Sequence, residues 1–309
     1  MTTHKNPPVD KPVILKQGLH PKNLHRQGYD FELLANTYPL LKTFVAENVY
    51  GNLSIDFSDA NAVKALNAAL LEQYYGIVGW SIPEGFLCPP IPGRVDYVHY
   101  VADLLAEGDK KLGVGSDIKL LDIGTGANGI YSLLACKVYG WQCVASDIDP
   151  QSLANVAAII DKNSSLQSAI DLRLQPEKSR IFAGIIQADE KFDVSVCNPP
   201  FHASLADALK GNQQKRNNLG VGATSSALNF GGQNAELWCK GGEQKFLRTM
   251  IKESREFAAQ CRWFTTLVSK SENLAPAKKL LRKLAASDIR EIEMKQGNKI
   301  TRVLAWTYA

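Results

Sequence analysis

The spacing of apolar residues changes near residue 112 and divides the chain into two parts. Between residues 30 and 112 apolar positions recur at helical spacing, so we predict a mainly helical region there. After residue 113, short apolar runs alternate with amphipathic stretches, a pattern typical of an α/β protein with a doubly wound sheet. The predicted strands, enough for a seven-stranded sheet, are 118–123, 142–146, 170–174, 192–197, 262–268, 289–294 and 299–307.

Within the helical part, residues 59–71 carry the strongest signal, because alanine and leucine fill the interior and Asp59 can cap the amino terminus. Residues 38–45 also have helical spacing. The segment 81–93 contains four prolines and two glycines, which predicts a loop before helical spacing resumes at residues 94–105.

The composition narrows the class of protein. Hydrophobic residues make up 45% and charged residues 21% of the chain, as in ordinary globular proteins. No run approaches the roughly 18 apolar residues of a membrane helix, and the amino terminus has no hydrophobic block. The six cysteines form no Cys-x-x-Cys pair, so we expect reduced thiols and no metal site. We therefore expect a cytoplasmic protein that does not contact a membrane.

The net charge of +4 is concentrated at the amino terminus, because residues 1–29 hold five lysines or arginines against one aspartate. Such a segment buries too little apolar area to order itself, so we predict a flexible basic arm. A basic arm ahead of a neutral globule indicates contact with a polyanion, since phosphate neutralisation releases counterions. A solvated tail without function is the alternative.

A glycine-rich turn follows the first predicted strand. Gly124, Gly126 and Gly129 match Gly-x-Gly-x-x-Gly between a strand and a helix, although many such turns bind nothing. Asp147 ends the second strand, where a carboxylate can accept hydrogen bonds from both hydroxyls of a ribose. Asp122 precedes the turn and would repel a pyrophosphate but attract an ammonium and a sulfonium. The turn therefore predicts S-adenosylmethionine rather than NAD.

The tetrapeptide Asn198-Pro199-Pro200-Phe201 follows the fourth predicted strand. Two prolines make it rigid and extended, and its place at the carboxyl end of a strand is where doubly wound sheets bind ligands. The Asn198 side-chain oxygen and the Pro199 carbonyl can each accept one N–H of an adenine amino group, and Phe201 can stack on the base. The motif predicts methyl transfer to an aromatic or amide-like nitrogen.

Together these motifs resemble the class I, S-adenosylmethionine-dependent methyltransferases that carry an Asn-Pro-Pro-Phe motif. The likeness covers nearly the whole chain and includes the segments 19–26, 54–57 and 87–94. It implies a Rossmann-like class I methyltransferase fold and methylation of the exocyclic N6 of a specific adenosine in 23S ribosomal RNA. It also implies a domain plan in which residues 30–112 bind RNA and residues 113–309 form the catalytic domain.

The motifs and the resemblance together give the candidate site residues. The candidate catalytic residues are Asn198, Pro199, Pro200 and Phe201, and the candidate cofactor-binding residues are Arg94, Asp122, Gly124, Gly126, Asn128, Asp147, Asp189 and Asn198. Arg94 would pair with the methionine carboxylate, unless it forms a surface ion pair with Asp96 or Asp103. Asp189 is proposed to hold the cofactor's adenine, and residues 211–232 are expected to form either a lid over the RNA or a plain surface loop.

Other functions use the same motifs. A protein-glutamine N-methyltransferase would grip a side-chain amide with the same tetrapeptide, and a DNA adenine N6-methyltransferase would use the same chemistry on DNA. An inactive RNA-binding chaperone could retain the fold, although the intact set of Asp122, Gly124, Asp147 and Asn198 argues against a decayed site. We expect a monomer whose partner is 23S ribosomal RNA and whose only cofactor is S-adenosylmethionine.

Overall fold

The computed structural model describes residues 18–107, 114–200, 241–296 and 299–309. Its amino-terminal part is helical as predicted, with one exception. Its helices are α1 (Phe31–Thr37), α2 (Ala60–Tyr75) and α3 (Ile91–Leu105), and a small antiparallel hairpin joins β1 (Val45–Glu47) to β2 (Leu53–Ile55). The helix predicted over residues 38–45 is wrong, because a short 3-10 turn from Pro39 to Thr43 leads directly into β1. There, pairing with β2 overrides local helical spacing.

One seven-stranded sheet organises the rest of the described chain. Its strands are β3 (Lys119–Ile123), β4 (Gln142–Asp147), β5 (Ile170–Leu174), β6 (Phe192–Cys197), β7 (Cys261–Val268), β8 (Asp288–Gln296) and β9 (Lys299–Thr307). The spatial order is β5-β4-β3-β6-β7-β9-β8, and β9 runs antiparallel to both of its neighbours while the other neighbouring pairs are parallel. The predicted doubly wound α/β fold is therefore confirmed.

Helices cover both faces of this sheet. In the described part of the chain the remaining α-helices are α4 (Ile130–Tyr139), α5 (Pro150–Asp161), α6 (Ser164–Gln167), α7 (Gly242–Ser254) and α8 (Leu274–Lys283). One hydrophobic core contains side chains of α2 to α5 and alternate strand residues such as Leu120, whereas α7 and α8 pack on the opposite face with residues such as Leu121. Because α2 and α3 share a core with the sheet, the two parts predicted on either side of residue 112 pack as one body.

The carboxyl-terminal part of the predicted flexible arm is ordered. Residues 18–29 pack against α3, where the His20 backbone N–H donates to Asp96 Oδ1 at 3.1 Å and His20 Nε2 lies 2.8 Å from Asp103 Oδ2. The side chains of Leu19, His20, Asn23 and His25 are buried. The prediction of flexibility is therefore wrong for residues 18–29, because specific hydrogen bonds to α3 replace the apolar burial that the segment lacks. Residues 1–17 lie outside the described residues.

Candidate active site

Three strands end side by side and bring the predicted motifs together. In the parallel register, Ile123 of β3 is paired with Ser146 of β4 on one side and with Cys197 of β6 on the other. The glycine turn, Asp147 and Asn198 follow these three positions directly. They therefore meet at the carboxyl edge of the sheet, which is where open α/β sheets bind their ligands.

The glycines of the turn are required for two different reasons. Gly124, Gly126 and Gly129 all have positive φ, at 71°, 63° and 59°. A Cβ on Gly129 would lie 2.9 Å from Val156 Cγ1, so this glycine allows α4 to pack against α5. A Cβ on Gly124 would meet no protein atom within 4 Å, and Gly124 instead lines a cavity. The open space beside Gly124 fits a ligand that approaches the backbone closely.

Asp147 is held at the end of β4 by two backbone hydrogen bonds. The Gly126 N–H donates to its Oδ2 at 2.8 Å and the Asp149 N–H donates to its Oδ1 at 2.9 Å. Burial raises the pKa of this carboxyl group, and the two backbone bonds oppose that shift. Each carboxylate oxygen keeps a further acceptor site, so Asp147 can also accept hydrogen bonds from the hydroxyl groups of a ribose in the cavity.

Asp122 lies beneath the turn and does not line the cavity. Its Oδ2 accepts hydrogen bonds from Thr125 Oγ1 at 2.8 Å and Ser132 Oγ at 3.0 Å, which ties the turn to the first turn of α4. Burial raises the pKa of Asp122 to about 6, although the two hydroxyl groups partly stabilise its charge. The structure therefore gives Asp122 a bracing role and a buried negative charge at neutral pH, instead of the direct ligand contact that was predicted.

Arg94 reaches the same cavity from α3. Its Nη1 donates to the hydroxyl of Tyr131 at 2.6 Å, and both side chains line the cavity. The alternative ion pairs are not formed in the described part of the chain, because Asp96 binds residues of the segment 18–29 and Asp103 binds His20 and Lys22. The guanidinium is thus available to a carboxylate in the cavity.

The side chain of Asn198 carries an unused acceptor. Its Oδ1 is buried and has no hydrogen-bond partner among the described residues, although Asn198 and Pro200 both line the cavity. Buried polar atoms are almost always hydrogen-bonded in native structures, so an exception at a cavity indicates a ligand donor. Pro199 is buried outside the cavity lining, and Phe201 lies outside the described residues.

A one-directional chain of hydrogen bonds supports the end of β6. Thr265 Oγ1 lies 2.7 Å from the Ser195 carbonyl, which can only accept, so the threonine donates to it. The Tyr97 hydroxyl, 2.7 Å from Thr265 Oγ1, must therefore donate to the threonine and accept from the Cys197 N–H at 3.4 Å. Burial raises the pKa of Tyr97 well above its usual value, which keeps the hydroxyl protonated. The chain therefore runs from the Cys197 N–H, one residue before Asn198, to the Ser195 carbonyl.

The site contains one cavity of about 700 Å³. Of the predicted cofactor residues, the structure places Arg94, Gly124, Gly126, Asn128, Asp147 and Asn198 in its lining. Asp189 is exposed in a turn and does not line the cavity, so the structure does not bring it to the site. The lining also includes Ile148, Gln175 and residues 178–181, which were not predicted from the sequence because they carry no recognisable motif. The loop 211–232 lies outside the described residues.

Two negative findings concern the described residues. No group of three or more histidine, cysteine, aspartate or glutamate side chains among them could hold a metal ion. Within the same ranges, no helix is both long enough and apolar enough to cross a membrane.

The topology identifies the class of protein. Six strands of the sheet run in one direction and the antiparallel β9 lies between β7 and β8, which is the arrangement of class I methyltransferases. The cavity lies at the carboxyl edge of the parallel strands, where these enzymes bind the methyl donor. A family model described as RNA methyltransferase matches residues 13–309. The chain belongs to this family, so RNA is favoured over protein glutamine or DNA as the class of substrate.

Curated relatives define the branch of the family. The chain is 60% identical over 308 residues to ribosomal RNA large subunit methyltransferase F of Shewanella baltica strain OS185, covering 98% of this chain and 84% of the relative. It is 57% identical over 314 residues to the protein of the same name from Shewanella loihica, covering 94% of this chain and 79% of the relative. The resemblance noted from the motifs is thus confirmed over nearly the full chain.

Solved structures agree with this placement. The catalytic domain of human METTL16 in complex with MAT2A 3'UTR hairpin 1 superposes with a TM-score of 0.81 at 29% identity, covering 95% of this chain and 96% of that chain. The amino-terminal domain of human METTL16 in complex with SAH has a TM-score of 0.75 at 27% identity, covering 94% of this chain and 99% of that chain. The class I methyltransferase fold is confirmed.

Proposed function

We propose that this protein transfers a methyl group from S-adenosylmethionine to the exocyclic N6 of a specific adenosine in 23S ribosomal RNA. The observation that carries the proposal is the buried, unpartnered Oδ1 of Asn198, which lines the cavity of a protein from an RNA methyltransferase family. An adenine amino group has the N–H donors that this acceptor lacks.

The cavity residues fit the proposed cofactor. A volume of about 700 Å³ lies in the range of small-molecule sites, roughly 300 to 1,000 Å³. Arg94 would hold the methionine carboxylate, Asp147 would accept hydrogen bonds from the ribose hydroxyls, and Ile148 and Ile181 would contact the adenine ring. When bound, S-adenosylmethionine supplies an electrophilic methyl group on a positively charged sulfur. The buried charge of Asp122 beneath the turn would favour that positive charge.

The chain's own contribution to the reaction is orientation. In the proposal, Asn198 Oδ1 accepts one N–H of the adenine amino group, which directs its lone pair toward the cofactor site. The prolines that follow hold Asn198 in an extended backbone, and the Tyr97 and Thr265 hydroxyl groups fix the strand end that carries it. Fixed dipoles and alignment of this kind lower a barrier without a catalytic base.

The proposal extends to assembly and location. It assigns RNA contacts to residues 30–112 and to the basic residues of 1–29, with a monomer acting in the cytoplasm. Light scattering of the purified full chain measures the assembly state, and a stable dimer would contradict that part of the proposal.

The decisive test is to map methylated adenosines in ribosomal RNA. Mass spectrometry of 23S fragments from cells lacking the protein should show one adenosine without its N6-methyl group, and the wild-type gene should restore it. Asn198→Ala should fail to restore it while still binding S-adenosylmethionine in calorimetry. The matched control is Asn61→Ala, an exposed asparagine of α2, which should restore the mark fully. An unchanged methylation map in the deletion strain would refute the proposal.

A further inference from the structure

The exposed face of α7 carries positive charge only. Its exposed residues are Gln244, Lys245, Arg248 and Lys252. The three cations are spaced three and four residues apart, which places them on one stripe of the helix spanning roughly 10 Å. Among the described residues none of the three forms a salt bridge. We call these three residues the α7 stripe.

The two acidic residues of α7 do not neutralise the stripe because both are buried and already paired. Glu243 accepts from the Ser269 and Lys270 N–H groups at 2.7 and 3.2 Å and from the Asn273 side chain at 2.6 Å. Glu253 accepts from three consecutive backbone N–H groups of residues 181–183 at 3.0, 2.9 and 2.7 Å. The inward carboxylates position loops, and the outward cations remain free to bind an anion.

The stripe starts at the active-site cavity. Lys245, at the amino-terminal end of α7, lines the cavity together with Phe246 and Thr249. A cation near a helix amino terminus opposes the helix dipole, so helix stability does not account for Lys245. Arg248 and Lys252 continue the stripe away from the cavity and do not line it.

We propose that the α7 stripe binds the phosphate backbone of the RNA next to the target nucleotide. This inference rests on the proposed function, and it adds a surface that binds the RNA strand beside the cavity. Unpaired lysine and arginine side chains on one exposed helix face are the groups that bind successive phosphates, with release of their counterions. Because phosphates carry no base identity, the stripe sets the register of the RNA on the protein instead of reading its sequence.

The test compares two charge-matched double variants of the full chain. Arg248→Gln with Lys252→Gln removes the part of the stripe outside the cavity. Arg282→Gln with Lys283→Gln removes the same charge from the last turn of α8, where both residues are exposed and outside the cavity lining. Filter binding to an unmodified 23S transcript is measured across a potassium chloride series. The stripe variant should bind about 10-fold more weakly than the wild type at 0.1 M salt. Its slope of log affinity against log salt concentration should be smaller by roughly 1.4 to 1.8, because two phosphate contacts are lost. The α8 variant should show a smaller change in both affinity and slope.

The possible results separate the inference from the proposed function. Restoration of affinity by the charge-keeping pair Arg248→Lys with Lys252→Arg supports backbone binding. The inference is overturned if the stripe variant keeps its RNA affinity, or if the stripe and α8 variants lose the same affinity. The proposed function stands in either case, provided that the wild type still methylates the transcript. A wild type that neither binds nor methylates the transcript overturns both.

Discussion

Removing the hydroxyl of Tyr97 tests whether the protein positions Asn198 through the end of β6. Tyr97 is fully buried on α3 and does not line the cavity, so Tyr97→Phe changes no group that faces a ligand. The substitution deletes the acceptor of the Cys197 N–H and the donor to Thr265 Oγ1. The Cys197 N–H, one residue before Asn198, then loses this acceptor.

The magnitude follows from these two contacts. An unpaired buried polar group costs about 1–3 kcal/mol, and the 3.4 Å bond to Cys197 is long, so we expect unfolding free energy to fall by about 1–2 kcal/mol. A small shift of an orienting group costs more in rate than in stability, since misplacement near 1 Å can cost roughly 100-fold. We therefore expect kcat to fall about 10-fold, with the cofactor dissociation constant unchanged.

The assay measures kcat and KM for methyl transfer to RNA, together with cofactor affinity by calorimetry and stability by urea unfolding. The matched control is Tyr139→Phe, which deletes another buried hydroxyl, 2.7 Å from His99 Nδ1 and outside the cavity lining. It should lose similar stability and keep kcat. Thr265→Val combined with Tyr97→Phe should cost less in kcat than the sum of the single changes. Equal kcat values for Tyr97→Phe and Tyr139→Phe would refute the positioning role.

Three further changes test the rest of the site. Asp147→Ala should weaken S-adenosylmethionine binding about 10-fold or more in calorimetry, because a charged acceptor is lost; unaltered affinity would contradict the ribose assignment. Glu253→Gln should lower unfolding free energy by about 2 kcal/mol, since three backbone N–H groups lose a charged acceptor, whereas the exposed control Glu256→Gln should not; equal melting temperatures would count against that role. The pKa of Asp122 is about 6 in the folded protein and about 3.9 in the unfolded chain. Between these values the folded state binds more protons than the unfolded state, so the contribution of Asp122 to the unfolding free energy falls as pH rises from about 4 to 6. Asp122→Asn should flatten that part of a pH series of urea unfolding, and an identical pH profile would show that Asp122 does not titrate there.

Much of the site could be predicted because its motifs are local. A glycine that needs positive φ, an acidic residue that ends a strand, and a proline-locked Asn198 are each recognisable from neighbouring residues alone. Parallel strands place their carboxyl ends on one edge, so the pattern of alternating strands and helices was sufficient to predict that Gly124, Asp147 and Asn198 meet. The position of Asp122 was harder to predict, because whether a residue faces a cavity or lies beneath it depends on the exact path of the turn.

The sequence by itself determined where the seven strands of the main sheet lie along the chain, the class of fold and the identity of the residues that end the central strands. These properties follow from hydrophobic periodicity and backbone preference, which act over a few residues. Only the tertiary structure decided three other contacts between distant residues: the packing of residues 18–29 on α3, the hydrogen bond from Arg94 to Tyr131, and the contact of the Tyr97 hydroxyl with the Cys197 N–H. It also decided that the α7 acids face inward and its cations outward. Contacts of this kind depend on the packing between elements that are far apart in the chain, and no local sequence pattern specifies that packing.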